Sequence, residues 1–289
     1  MPSDITSPPP PNDAAGEEKL DVNAILSKYD KESSHRMFSG FTGKLVTLVC
    51  VLFSLFHLYC AAFGSLPPQI QRSVHLGFAF FIIFLLYPAQ KGRDRGLHWT
   101  DIILACAGVW VCGYIIVNYE SIIMDIDPPT IVGYLHGAAA LLLLLEATRR
   151  IVGLSIALVA VTFLLYAMFG QYLPGVLGHG GFSIKRIISH MYLTSEGIFG
   201  VQLGVSATFV FLFILFGAFL HSTGLGKFFI DLALACTGHK VGGPAKVAIV
   251  ASGFFGTISG SSVANTVSTG TFTIPLMRSV GYRPRRPVT

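Results

Sequence analysis

Five side chains near residue 260 are of types that coordinate a cation without carrying charge themselves. Ser259, Ser261, Ser262, Asn265 and Thr266 lie close together, interleaved with Gly256 and Gly260. Their hydroxyl and amide oxygens, joined by the carbonyls of an unwound backbone, can replace the water shell of sodium, with Ser259, Ser262 and Asn265 as its ligands. Gly256 and Gly260 supply the unusual backbone angles such a turn needs. The stretch around them, 247–277, carries no formal charge. As one straight helix its ~30 residues would span roughly 45 Å, well beyond a hydrocarbon core of about 30 Å. Folded at the polar centre, it makes two arms of roughly 20 Å each, too short to cross. Non-helical backbone survives at that depth only inside protein or along a wet cavity, and broken helices there hold ions and substrates in many secondary transporters. Free amides at the start of the second arm would favour a carboxylate. The plainer alternative is that Gly256-x-x-x-Gly260 packs helices and the hydroxyls bond between them.

The elements that must position this hairpin are membrane helices. Hydrophobic residues make up 52% of the 289-residue chain and charged residues 12%, about half the charged share of soluble domains. The mean hydropathy is +0.65. The fold class expected is an all-α polytopic membrane protein with six spans, at 45–64, 74–89, 101–118, 131–145, 151–170 and 198–221, followed by a re-entrant hairpin at 244–278. Lys28, Lys31, Arg36 and Lys44 precede the first span, Lys91, Arg93 and Arg95 fill the second connection, and Arg149 and Arg150 the fourth. The first connection holds only Arg72, and the third holds Glu120, Asp125 and Asp127 without a base. That alternation predicts a cytoplasmic N-terminus. Residues 1–40 read as a disordered cytoplasmic tail with a short helix at 22–29. The long connection 171–197 would lie outside, carrying a surface helix at 183–192. Gly224-Leu225-Gly226 ends the sixth span, 227–236 is a short amphipathic element, and Pro244 suits the first turn of the hairpin's first arm. Arg278, Arg283, Arg285 and Arg286 bring the second arm back to the cytoplasm.

Other chemistries find little support. The net charge of +5 comes from basic residues scattered between apolar runs, which fits topology and not nucleic-acid binding. Five cysteines lie mostly within apolar segments without ligand spacing, so no disulfide is expected. There is no phosphate-binding glycine loop and no nucleophile constellation, so the chain reads as a non-enzyme without a cofactor beyond a coupling ion. His57, His136 and His221 sit singly on separate spans, and packing or helix-end positions account for them better than haem ligation. Glu146 beside Arg149 and Arg150 reads as an ion pair at a helix end, and Asp231 and Glu196 lie near interfaces.

Four runs carry a resemblance: Gly217-Ala218-Phe219-Leu220 through Gly224-Leu225-Gly226; Gly242-Gly243-Pro244-Ala245-Lys246; Gly260-Ser261-Ser262-Val263-Ala264-Asn265-Thr266; and Gly281-Tyr282-Arg283-Pro284. Together they resemble the large membrane subunit of tripartite ATP-independent periplasmic (TRAP) transporters. The four spans within 41–147 look like the small membrane subunit fused in front of a large-subunit-like part, 148–289, an arrangement similar to permeases that serve TAXI-type binding proteins. The resemblance implies an elevator-type carrier of the bacterial inner membrane, driven by sodium and fed small organic anions, carboxylates, by a periplasmic solute-binding protein. It implies that Ser259, Gly260, Ser261, Ser262, Asn265 and Thr266 touch sodium and substrate, and that the four-helix part is a scaffold. Protons remain open as the coupling ion. Such carriers continue into a second, inverted half with its own hairpin, so the expectation is a chain truncated at its C-terminus or completed by a second chain. A non-transporting membrane scaffold, or the remnant of a truncated gene, is the alternative.

Overall fold

A computed structural model describes residues 36, 38, 40–64, 66–89, 97–124, 130–258 and 262–282. The helix expected at 22–29 and most of the tail 1–40 lie outside those residues. Among the described residues every regular element is helical. Six of the helices are long and apolar enough to cross a membrane. They are α1 (Phe41–Phe63), α2 (Pro68–Leu86), α3 (Trp99–Val117), α4 (Ile131–Ile151), α5 (Leu154–Phe169) and a composite α6. In α6, the α-helical turn Val201–Val205 passes through a π-helical turn, Ser206–Val210, into Phe211–Ser222. Three further helices follow: α7 (Leu225–Thr237), α8 (Gly243–Gly256) and α9 (Ser262–Ser279). The surface helix expected at 183–192 is present as Ile184–Ile188 continued by a π-helical turn, Ser189–Leu193.

Two spans are longer than their hydropathy suggested, for one reason. Helix α2 begins at Pro68, where the sequence reads as connection, because Gln69, Gln71, Ser73 and His75 are polar yet buried. Helix α4 runs on to Ile151 because Glu146, Arg149 and Arg150 are paired and do not need to end the helix. In lipid the tails are as apolar as the side chains, so helix association rests on close packing and polar contacts more than on burial from water. Both devices appear here. Gly108 lies so near Phe80 that an added Cβ would come within 2.6 Å of that residue's Cβ, and Gly137 approaches Ile188 and Tyr192 as closely. Around these contacts Phe80, Phe84, Ile115, Tyr192 and Phe199 form a buried core shared by α2, α3, α4 and the segment leading into α6.

The polar contacts gather at one end of that bundle. Asp101, 1% exposed, receives Arg36 Nη1 on Oδ2 and Arg150 Nη1 on Oδ1, each at 2.8 Å. Arg36 also donates from its backbone N–H to the carbonyl of Leu86, and Arg150 donates from Nη1 to the carbonyl of Tyr87, while the Arg150 guanidinium lies 5.1 Å over the Phe84 ring. Glu146 takes Arg150 Nε at 2.8 Å and Arg149 through two bonds of 2.7 Å. The expected Glu146–Arg149–Arg150 pairing is thus present, and Asp101 and Arg36 extend it.

Candidate ion-binding hairpin

Helices α8 and α9 form the anticipated hairpin, packed on α7. Gly242 stands in the left-handed conformation (φ 73°) that turns the chain, and Pro244 occupies the first turn of α8. Gly243, Val247, Ala251 and Phe255 recur at helical spacing and are buried. Val247 and Ala251 make a small core with Ala233 of α7, against which Ile230, Val250 and Leu276 pack. At the far end, Thr257 and Ile258 tighten α8 into a final turn, their N–H groups donating to Phe254 and Phe255. Ser259, Gly260 and Ser261 lie outside the described residues, and α9 starts at Ser262.

Asn265 is the residue that ties the two arms together. Its Nδ2 donates across the hairpin to the carbonyl of Ser252 at 3.1 Å. A Cβ at Gly256 would sit 3.6 Å from the same nitrogen. The other end of the amide, Oδ1, is buried with no hydrogen-bond partner among the described residues. A buried amide oxygen left unpaired is costly unless a ligand or ion completes it. It is a neutral, hard acceptor of the kind that binds an alkali cation.

The hydroxyls of α9 are arranged one turn apart. Thr266 Oγ1 donates to Ser262 O at 2.9 Å, Thr269 to Asn265 O and Thr273 to Thr269 O, each at 2.8 Å. Back-bonding of this kind uses the hydroxyl proton and leaves oxygen lone pairs as acceptors. Ser262 and Thr266 are exposed at the mouth of the hairpin, whereas Thr269 and Thr273 are buried along it. Of the six residues expected at the tip, the described ones, Ser262, Asn265 and Thr266, share the first turn of α9 and the turn after it.

The tip also meets α6. A Cβ on Gly217 would lie 2.9 Å from the carbonyl oxygen of Ile258, so only glycine lets that carbonyl approach. Gly217 was visible in the sequence as part of a motif, but not as the place where the hairpin rests.

The upstream half of α6 is held by a polar contact that the sequence reading missed. Arg72 Nη1 donates to Phe199 O at 2.6 Å, and its guanidinium lies against Gly204, where a Cβ would be 2.8 Å from both Nε and Nη2. His75 Nδ1 and His57 Nε2 are 2.9 Å apart and both buried, and His75 Nε2 lies 3.3 Å from Ser206 Oγ. Phe53 and Phe211 close around the pair. His57 is therefore not single, as its spacing suggested. It is one half of a hydrogen-bonded dyad spanning α1 and α2. His136 stacks on Tyr114 at 4.2 Å and bonds to Val132 O, in keeping with the packing role expected of it. The side chain of His221 lies outside the described residues.

A model of the tripartite ATP-independent periplasmic transporter family, DctM component, matches residues 139–289, just over half of the chain. The chain belongs to that family. Among relatives of this TRAP permease, the 2,3-diketo-L-gulonate TRAP transporter large permease protein YiaN of Escherichia coli is 36% identical over 74 residues, covering 26% of this chain and 17% of the relative. The C4-dicarboxylate TRAP transporter large permease protein DctM of Pseudomonas aeruginosa is 41% identical over 70 residues, covering 24% and 16%. A putative TRAP transporter large permease protein of Haemophilus influenzae is 40% identical over a stretch of the same length and coverage. The chain thus matches about one-sixth of the length of these curated relatives. No solved structure matches it significantly. Family and helices together make the chain a multi-pass membrane protein of a transporter permease family.

Proposed function

We propose that this TRAP permease takes part in sodium-driven, binding-protein-dependent uptake of small organic anions, and that the tip of the α8–α9 hairpin holds the sodium ion. The observation that carries the reading is the buried Oδ1 of Asn265, which has no hydrogen-bond partner among the described residues. Ser262 and Thr266 lie within one turn of it and add neutral oxygens, and Ser259, Gly260 and Ser261 complete the tip in sequence. Sodium would supply the positive charge beside which a carboxylate becomes favourable. A second hairpin, on this or another chain, would close the site. The printed substrates of the relatives, a diketogulonate and C4-dicarboxylates, are all carboxylates, which supports the anion class.

A fused small-subunit-like scaffold over 41–147 is supported by the family match beginning only inside α4. On that reading the periplasmic partner is a solute-binding protein of the TAXI type, and the location is the bacterial inner membrane with the N-terminus in the cytoplasm.

The test uses the chain itself. Thermal unfolding in detergent is followed while sodium is titrated against choline at constant ionic strength. A ligand bound only to the folded state raises the midpoint with its concentration. Sodium, and not choline or potassium, should stabilise the wild type, and Asn265→Ala should lose the response while remaining folded. An undiminished sodium response in Asn265→Ala would remove the site assignment.

A further inference from the structure

Away from the hairpin, between α4, α5 and the surface segment Ile184–Leu193, lies a cavity of about 610 Å³. Leu141 and Leu145 of α4 and Ala160, Leu164 and Ala167 of α5 form its walls. The groove exists because Ala160 and Ala167 are two turns apart on one stripe of α5, where larger side chains would have filled it. Every residue of the lining is apolar except Arg186 and His190, and both come from the surface segment. Seven residues of α5 along the wall correspond to about 10 Å, inside the half-thickness of a hydrocarbon core of ~30 Å.

The charges are confined to that one side. Arg186 lies 5.1 Å over the Phe182 ring, which also lines the cavity. Neither Arg186 nor its exposed neighbour Lys185 takes part in any ion pair among the described residues. His190 Nδ1 lies 3.9 Å from Glu196 Oε2, the nearest carboxylate partner that segment has among the described ion pairs. An apolar slot one leaflet deep, with an unpaired guanidinium and an ammonium at its mouth, has the charge pattern of an amphiphile whose head is anionic. A zwitterionic head would bring a third cation against the two already there.

We propose that this cavity holds one acyl chain of an anionic phospholipid, with the phosphate on Arg186 and Lys185 beside it. The proposal needs only the membrane-spanning fold and is independent of the sodium site. The test is native mass spectrometry of the purified chain after reconstitution in phosphatidylcholine bilayers doped with phosphatidylglycerol. The wild type should retain phosphatidylglycerol over phosphatidylcholine on the order of tenfold, given two basic residues at a membrane surface. The double variant Lys185→Gln/Arg186→Gln should bring the ratio near one, and Arg186→Lys should keep most of the preference. Ala160→Trp, which fills the slot, should abolish retention of the tightly held lipid. Each variant is first shown by circular dichroism and gel filtration to match the wild type, and Leu164→Trp, which fills the same slot, replaces Ala160→Trp if that variant does not fold. Equal retention of both lipids by the wild type overturns the proposal. So does an unchanged preference in the double variant, or in the folded slot-filling variant.

Discussion

The bundle α1–α4 and the hairpin unit α7–α9 are held together by different means. The bundle buries large side chains, Phe80, Phe84, Tyr192 and Phe199, and a carboxylate shared by two arginines. The hairpin unit has a core of Ala233, Val247 and Ala251, and its polar atoms bond one turn back along the same helix or across to the opposite arm. One region spends its polar groups on locking helices to each other. The other keeps its oxygen atoms on closely packed backbone. Rigidity in the first and available acceptors in the second suit the division of roles proposed above.

The largest effect should come from the shared carboxylate. Asp101→Ala leaves the buried Arg36 guanidinium without its carboxylate and Arg150 with Glu146 as its remaining ion-pair partner, and breaking a buried pair in this way costs about 3–5 kcal/mol. Thermal unfolding in detergent should show a large loss of stability, and a small one would mean that charge does not hold the bundle. Next is the junction between the regions. Gly204→Ala must displace the Arg72 guanidinium from Phe199 O, a bond to a charged group worth about 1.5–3 kcal/mol. In an Arg72→Gln background the same substitution should cost far less, because its clash has gone. Additive effects in that double-mutant cycle would show that the two residues are not coupled. Gly217→Ala pushes on the Ile258 carbonyl and should cost about 1–3 kcal/mol as local overpacking. Hydrogen exchange should speed up at Thr257 and Ile258 more than in α3; uniform change would blur the distinction between the two regions. The smallest effect is expected at Ser262→Ala, exposed at the hairpin mouth: within about 0.5 kcal/mol in stability, but with a weakened sodium response.

Where sequence spacing carries information, it was enough. The six spans, the proline at the start of α8 and the polar break near residue 260 follow from hydropathy and local chemistry, because each depends on neighbours along the chain. The missed features depend on how helices are rotated against one another. His57 and His75 are 18 residues apart and Arg36 and Asp101 65 apart, and no periodicity announces such a meeting. Hydropathy also misplaced the start of α2, since Gln69, Gln71 and Ser73 look like a connection until the neighbouring helices cover them. Asn265 lies between these cases. Its type and position marked it, but only the fold shows that one end of its amide is used and that the other has no partner among the described residues.

The π-helical turn Ser206–Val210 falls between two places where α6 is held, Gly204 on one side and Gly217 on the other. A π turn accommodates one residue more than the α-helical turn it replaces. Counting from the Arg72 contact, that residue sets the azimuth at which Gly217 arrives. Removing it would restore an unbroken α-helix and swing Gly217 by about 100° around the axis, presenting a side chain to the Ile258 carbonyl in its place. The phase between the two ends of α6 is therefore fixed by a single residue.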